Sequence, residues 1–294
     1  MKVRLHEPTF GEAEIQAATD VLRSTQVTAG RKVREFERAF APDIGHGIAV
    51  NSGSSANLIA VSALTNPALP GHWKRGDEVI VPALAWSTTV WPLIQCGLVP
   101  VIVDVDPQTF NIDPDQVLEA IGPRTRGIMP VHVYGNPCDM HALQAITKQH
   151  GLDVIEDCCE ALGAEYNGVP VGQYSRVGTF SFYFSHHMTS IEGGMAVTYD
   201  TQLAELMRIL RAHGWTRDLD NPEAYHAAHP DIDPRFLFVN LGYNLRLTEV
   251  QAAIGLVQLP KLRGVVDIRR GNAARWTVAL APWTRYFDFQ RETP

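Results

Sequence analysis

Lysine is scarce in this chain of 294 residues: there are five, Lys2, Lys32, Lys74, Lys148 and Lys261. No Lys/Arg run occurs and the net charge is -7, which argues against a nucleic-acid surface while leaving room for a local basic pocket that takes a phosphorylated ligand. No apolar run approaches the roughly 18 residues that span a bilayer. Residues 1–8 also hold no apolar stretch of the kind a secretory leader carries. The expectation is a soluble cytoplasmic protein that engages neither membrane nor nucleic acid. Cysteine is limited to Cys96, Cys138, Cys158 and Cys159. Their spacing matches neither a disulfide framework nor a zinc finger, so they read as reduced core thiols with no metal. Internal repeats and low-complexity segments are absent.

What is present is apolar material, 45% of the chain, enough for one large domain and part of a second. Helical spacing predicts helices over 12–22 and 32–40. A strand from residue 47 breaks at Gly53, after which Ser54 or Ser55 caps a helix running to about Leu64. Strands over 78–82, 100–105, 127–132 and 153–156 then alternate with helices over 87–96, 115–121 and 140–150. A strand over 177–184, an apolar run at 195–198 and a helix over 201–212 follow. This alternation predicts an α/β fold with a mainly parallel sheet flanked by helices, functional groups gathering at the strands' carboxyl ends. Residues 214–233 read as an irregular connection and 247–262 as an amphipathic helix. Residues 283–289 read as a strand.

Several polar groups fall at those carboxyl ends. The turn and helix start at 51–58 bring amides, hydroxyls and a helix dipole to one spot suited to phosphate, although a serine cap is ordinary in itself. Asp157 ends an apolar strand and needs a partner that keeps it charged; a helix cap or ion pair would also serve. Trp86 is a core aromatic unless a flat ligand lies against it. Between Phe180 and Met195 a polar loop carries His186 and His187 and is closed by Gly193 and Gly194. Such a loop presents a base.

Taken in order, Asn51-Ser52-Gly53-Ser54-Ser55-Ala56, Pro82 to Trp86, Asp104-Val105-Asp106-Pro107, Pro130-Val131-His132-Val133-Tyr134-Gly135, Glu156-Asp157, Phe180-Ser181-Phe182, Glu192-Gly193-Gly194 and Gly242-Tyr243-Asn244 through Gln251 resemble the DegT/StrS sugar-aminotransferase family of pyridoxal-phosphate enzymes. The resemblance runs from about Thr9 to Leu262. It implies the fold-type-I architecture, a large cofactor domain over 1–245, the start of a small C-terminal domain over 246–294 that stops short, and a homodimer with shared active sites. By position it implies that Ser54, Ser55 and Ser181 hold the cofactor phosphate, that Trp86 stacks on the ring and that Asp157 pairs with the pyridine nitrogen. Glu160 would stand near the ring hydroxyl, where aminotransferases have Gln, and Asn244 would reach the phosphate from the neighbouring subunit. His213 and Arg246 stand where the family contacts substrate, and His187 is either a second proton carrier or loop filler; His213 could equally be a helix-end cation.

The sequence departs from the aminotransferases at one point: where they carry the lysine that tethers the cofactor, it has His186. The loop is similar to the lysine-less branch of the family, the 4-keto-6-deoxy-sugar-nucleotide 3-dehydratases. Imidazole moves protons near neutral pH but forms no stable covalent link to the cofactor. The resemblance therefore implies pyridoxal 5'-phosphate or pyridoxamine 5'-phosphate held non-covalently, proton transfer by His186, loss of a C3 hydroxyl and recharging by glutamate. Iron–sulfur recharging would need four suitably placed thiolates, which the cysteine spacing does not offer. GDP-4-keto-6-deoxy-D-mannose is the expected nucleotide-sugar substrate. An aminotransferase-like enzyme using another lysine, or a non-catalytic homologue, remain the alternatives.

Overall fold

In the computed structural model, the described residues are 7–42 and 45–293. Lys2 and the leaderless reading of the first residues fall outside them.

Two helices open the chain, α1 (Glu12–Ser24) and α2 (Arg31–Phe40), followed by β1 (His46–Val50) and α3 (Gly53–Leu64). The alternation continues through β2 (Glu78–Pro82), α4 (Ser87–Gln95), β3 (Val99–Val103), α5 (Pro114–Ala120), β4 (Thr125–Ile128), α6 (Met140–His150) and β5 (Asp153–Asp157). A short hairpin, β6 (Glu165–Tyr166) with β7 (Val169–Pro170), precedes β8 (Val177–Ser181), β9 (Gly194–Thr198) and α7 (Thr201–Arg211). The main sheet has the order β1-β9-β8-β5-β4-β2-β3. Only β9 runs against the rest. The carboxyl ends of the other six strands therefore share one edge, and the loop from β8 to β9 leaves from that edge and returns to it.

Burial explains the order. Every residue of β8 and β9 is buried, as continuous apolar runs covered on both faces require. α3 is apolar almost all round and lies embedded, its Ile59, Ala60 and Leu64 sharing a core with Val177 of β8 and Leu203 of α7. A second core joins Phe36, Phe40, Phe180 and Phe182, whose rings meet edge to face at 5.2 Å, and fixes where the loop after β8 begins.

Some expectations are corrected. The strands expected over 127–132 and 177–184 are shorter, ending where the chain turns out of the sheet at the carboxyl edge. The 214–233 connection contains a helical turn, α8 (Glu223–Ala228), with nothing buried. The helix expected over 247–262 is α9 (Glu249–Gln258), started by a reciprocal Thr248–Gln251 capping box and passing through a 3-10 turn into α10 (Leu262–Leu280). Residues 283–289 form no strand. Trp283, Tyr286 and Phe287 are exposed there, and among the described residues no strand pairs with them. Beyond them the chain folds back: Arg291 N–H donates to the Gln108 carbonyl, and the Asn136 amide donates to the Arg291 carbonyl.

α9 belongs to the large body, with Ala252 in the phenylalanine core. α10 is mostly exposed, with only Val266 buried among its residues, and touches the large body through Leu262, Val266, Arg269 and Arg270. Among the described residues no helix is long and apolar enough to cross a membrane.

Candidate active site

Ser52, not Ser54 or Ser55, caps α3. Its backbone is extended (φ -166°) and its Oγ accepts the Ser55 N–H at 3.0 Å. Ser55 is thereby turned inward and donates its hydroxyl to Asn51 Oδ1 at 2.6 Å. Ser52, Gly53 and Ser54 instead line a cavity of about 580 Å³ at the carboxyl edge, and Ser55 does not. Gly53 is required: a Cβ there would stand 2.6 Å from that of Ser181. The bare turn lets the positive end of α3 close against the Ser181 hydroxyl, which also lines the cavity. Unpaired helix-start amides, two serine hydroxyls and a helix dipole then meet at one wall.

Asp157, at the end of β5, is buried on the cavity floor. Three donors fix its carboxylate: Asn57 Nδ2 (2.9 Å) and Thr89 Oγ1 (2.8 Å) to Oδ2, and the Cys159 N–H (3.1 Å) to Oδ1. Asn57 is oriented in turn by the Thr179 hydroxyl, at 2.6 Å from its Oδ1. Trp86, 72% exposed at the start of α4, offers a bare indole to the same cavity. Glu160 also lines it, accepting the N–H of Tyr134, a residue held at φ 56°.

The opposite wall is the loop between β8 and β9. Phe182 anchors it, donating to the Gly193 carbonyl at 2.8 Å and accepting from Ser190 at 3.0 Å. Out on the loop, His186 donates its N–H to the Tyr183 carbonyl and sets its ring edge-on to that tyrosine at 5.7 Å. Both His186 and His187 face the cavity. Burial, reinforced by the nearby Arg269 guanidinium, holds His186 below the ordinary imidazole value, with the Asp157 charge opposing. For His187 burial, Arg269 and His186 push it down to about 4, and its Nδ1 is enclosed without a partner. A neutral imidazole accepts protons. Among the described residues no lysine lines the cavity: Lys32 pairs with Glu35 and Lys261 with Glu14.

The remaining expected site residues lie off the cavity wall. Asn244 bridges Ala212, Arg246 bridges Val50 beside the phosphate turn, and His213 sits at φ 65° with its N–H on the Tyr243 carbonyl. Sequence reasoning missed Asn57, Thr89, Tyr134 and Arg269. Asn57 had a signal, since it follows Ser54 by three residues and so shares its helix face. Arg269, far along the chain on α10, had none. Cys159, read as a core thiol, lines the cavity. His132, Glu156 and Cys158 are close enough to suggest metal ligands, but their atoms are already committed. Glu156 accepts from Gly172 N–H, Tyr174 N–H and His132 Nε2, while His132 Nδ1 accepts the Cys138 N–H.

An anion cradle, an exposed indole and a buried, triply bonded carboxylate around one cavity fit a flat, phosphorylated, protonated heteroaromatic, as pyridoxal phosphate is. The description of the DegT/DnrJ/EryC1/StrS aminotransferase family matches residues 8–293, and the chain belongs to that family. Among its relatives is the GDP-4-keto-6-deoxy-D-mannose 3-dehydratase of Yersinia pseudotuberculosis, 42% identical over 98% of this chain and 74% of the relative. The solved E. coli GDP-4-keto-6-deoxy-D-mannose-3-dehydratase with bound hydrated PLP superposes with a TM-score of 0.91 at 36% identity, covering 100% of this chain and 76% of the other. A further structure of a GDP-4-keto-6-deoxymannose-3-dehydratase, with a trapped PLP-glutamate geminal diamine, gives 0.91 and 36% over 99% and 76%.

Proposed function

We propose that this protein is a pyridoxal/pyridoxamine-phosphate-dependent 3-dehydratase acting on a nucleotide-linked 4-keto-6-deoxy hexose, GDP-4-keto-6-deoxy-D-mannose by likeness to the named relatives, with glutamate recharging the cofactor. The carrying observation is His186 on a cavity wall that no lysine of the described residues lines. The bound cofactor supplies an electron-accepting ring beside the reacting carbon. Asp157, its carboxylate fixed by three donors, would pair with the protonated ring nitrogen. Trp86 would cover one ring face, the wall of Ser52, Gly53, Ser54 and Ser181 would hold the phosphate, and Glu160 would stand near the ring hydroxyl. His186, held below the ordinary imidazole value by burial and the Arg269 charge, would accept the proton given up at the reacting carbon and pass one to the C3 oxygen, which leaves as water.

A homodimer in which Asn244 of each subunit completes the other's phosphate site would give that residue, and the neighbouring His213 and Arg246, a role that one chain leaves open. The exposed Leu241 beside them, at 93%, supports such a contact. The small domain would begin within 246–294, and the working compartment would be the cytoplasm.

The test is incubation with GDP-4-keto-6-deoxy-D-mannose, pyridoxal phosphate and glutamate, followed by mass analysis. A product lacking the C3 oxygen is expected; a stable amino sugar contradicts the reading.

A further inference from the structure

A second cavity, of about 500 Å³, opens beside the first, between α10 and the loop that follows β5. The two share three lining residues, Tyr134, His187 and Arg269. Arg269 reaches over from α10, and its one recorded bond is a long one, 3.4 Å from a guanidinium nitrogen to the Ser185 carbonyl. No carboxylate among the described residues pairs with it or with Arg270, the other cation of the second cavity, although Glu165 and Glu292 also line that space. Beside Arg269, the enclosed Nδ1 of His187 has no partner either.

The Arg269 side chain is exposed and has no carboxylate partner among the described residues, so its guanidinium is open to an anion that enters where the two cavities meet. The first cavity, of about 580 Å³, is within the size range of a single small-ligand site, and a nucleotide-linked sugar is longer than the cofactor and hexose that would meet in it. Whatever else the substrates carry extends past the shared residues. Resting on the dehydratase reading, we propose that Arg269, with the His187 ring beside it, is an oxyanion-recognition site at the junction of the two cavities, which holds the anionic arm of an incoming substrate. Two sources supply that chemistry, the diphosphate of the nucleotide sugar and a carboxylate of the amino donor. The planar guanidinium fork suits both.

The test titrates the cofactor-loaded protein by calorimetry with GDP and, separately, with L-glutamate, using wild type, Arg269→Gln, Arg269→Lys and, as a control on the same helix, Arg263→Gln. Arg269→Gln is expected to weaken one of the two ligands by roughly 10- to 100-fold. Arg269→Lys should recover part of that loss, while Arg263→Gln and the cofactor affinity stay as in wild type. Loss confined to GDP assigns the site to phosphate, and loss confined to glutamate assigns it to carboxylate. Unchanged binding of both, or a wild type that binds neither, overturns the proposal. The function is judged separately by product mass. A wild type that removes the C3 oxygen while Arg269→Gln binds normally refutes only the site; a wild type that makes no 3-deoxy product while Arg269→Gln loses an anion refutes only the function.

Discussion

The floor formed by β1, β5 and β8 and the histidine loop facing it share one cavity but are held in different ways. On the floor nearly every polar group has a partner fixed by the sheet: Asp157 by three donors, Asn57 by Thr179, Ser55 by Asn51. On the loop, backbone bonds to Phe182 tie down the two ends, while the imidazoles between them are set by burial and by one arginine from α10. The floor is built to bind and the loop to react. A binding site gains from rigid, saturated hydrogen bonding, whereas a proton carrier needs a nitrogen left open.

The contrast recurs within two residues of β5. Side chains alternate across a strand, so Glu156 points away from the cavity and spends both oxygens on His132, Gly172 and Tyr174, while Asp157 points into it. Two adjacent acids thus do separate jobs, one internal and one toward the ligand.

Variants can break this division. The largest effect is expected from His186→Ala, which should lower dehydration by about 10²- to 10⁴-fold, the usual weight of a general base, with cofactor affinity changed little. Equal loss of cofactor binding would erase the distinction between loop and floor. Asn57→Ala comes next. Leaving the Asp157 carboxylate short of a donor should cost about 1–3 kcal/mol in stability by denaturant unfolding and shift the absorption band of the bound cofactor. Ser54→Ala and Ser55→Ala form a sharper pair, since Ser54→Ala should weaken cofactor binding by a few fold in fluorescence titration while Ser55→Ala leaves it near wild type.

The smallest effect is one of pH. His187 stays neutral in the folded chain down to about 4, whereas the unfolded chain takes up that proton near 6.5. The unfolded state therefore binds more protons in this window, so stability falls as pH drops from about 6.5 to about 4 and this group adds no further change below. His187→Gln should flatten that part of the curve in urea unfolding at pH 7 and pH 4.5. For the same reason the acid limb of kcat/KM, set by His186, should lie below 6.5.

Much of this was legible because sheet and helix periods differ and the strands carry long apolar runs. The serine turn, Asp157 and the polar loop of His186 were legible as polar breaks after apolar strands, whereas the cofactor roles of these groups and of Trp86 rested on the family resemblance. Where three serines follow one strand, however, composition cannot say which is extended and which is already helical; the backbone decides for Ser52. Residues 283–289 have strand-favouring aromatics, but β propensity reflects a pleated, half-buried setting and none is offered to them. Asn57 was readable only from its place one helical turn after Ser54, within a mostly apolar helix. Arg269 comes to the loop only through the packing of α10, 84 residues along the chain from Ser185.

The central claim is that His186 acts as a base at a cofactor held without a covalent tether. Its most direct test is borohydride treatment of the pyridoxal-phosphate-loaded protein followed by intact-protein mass analysis, run beside His186→Lys. The account predicts no added mass on the wild type and one reduced cofactor on His186→Lys; a cofactor fixed to the wild-type chain would contradict it.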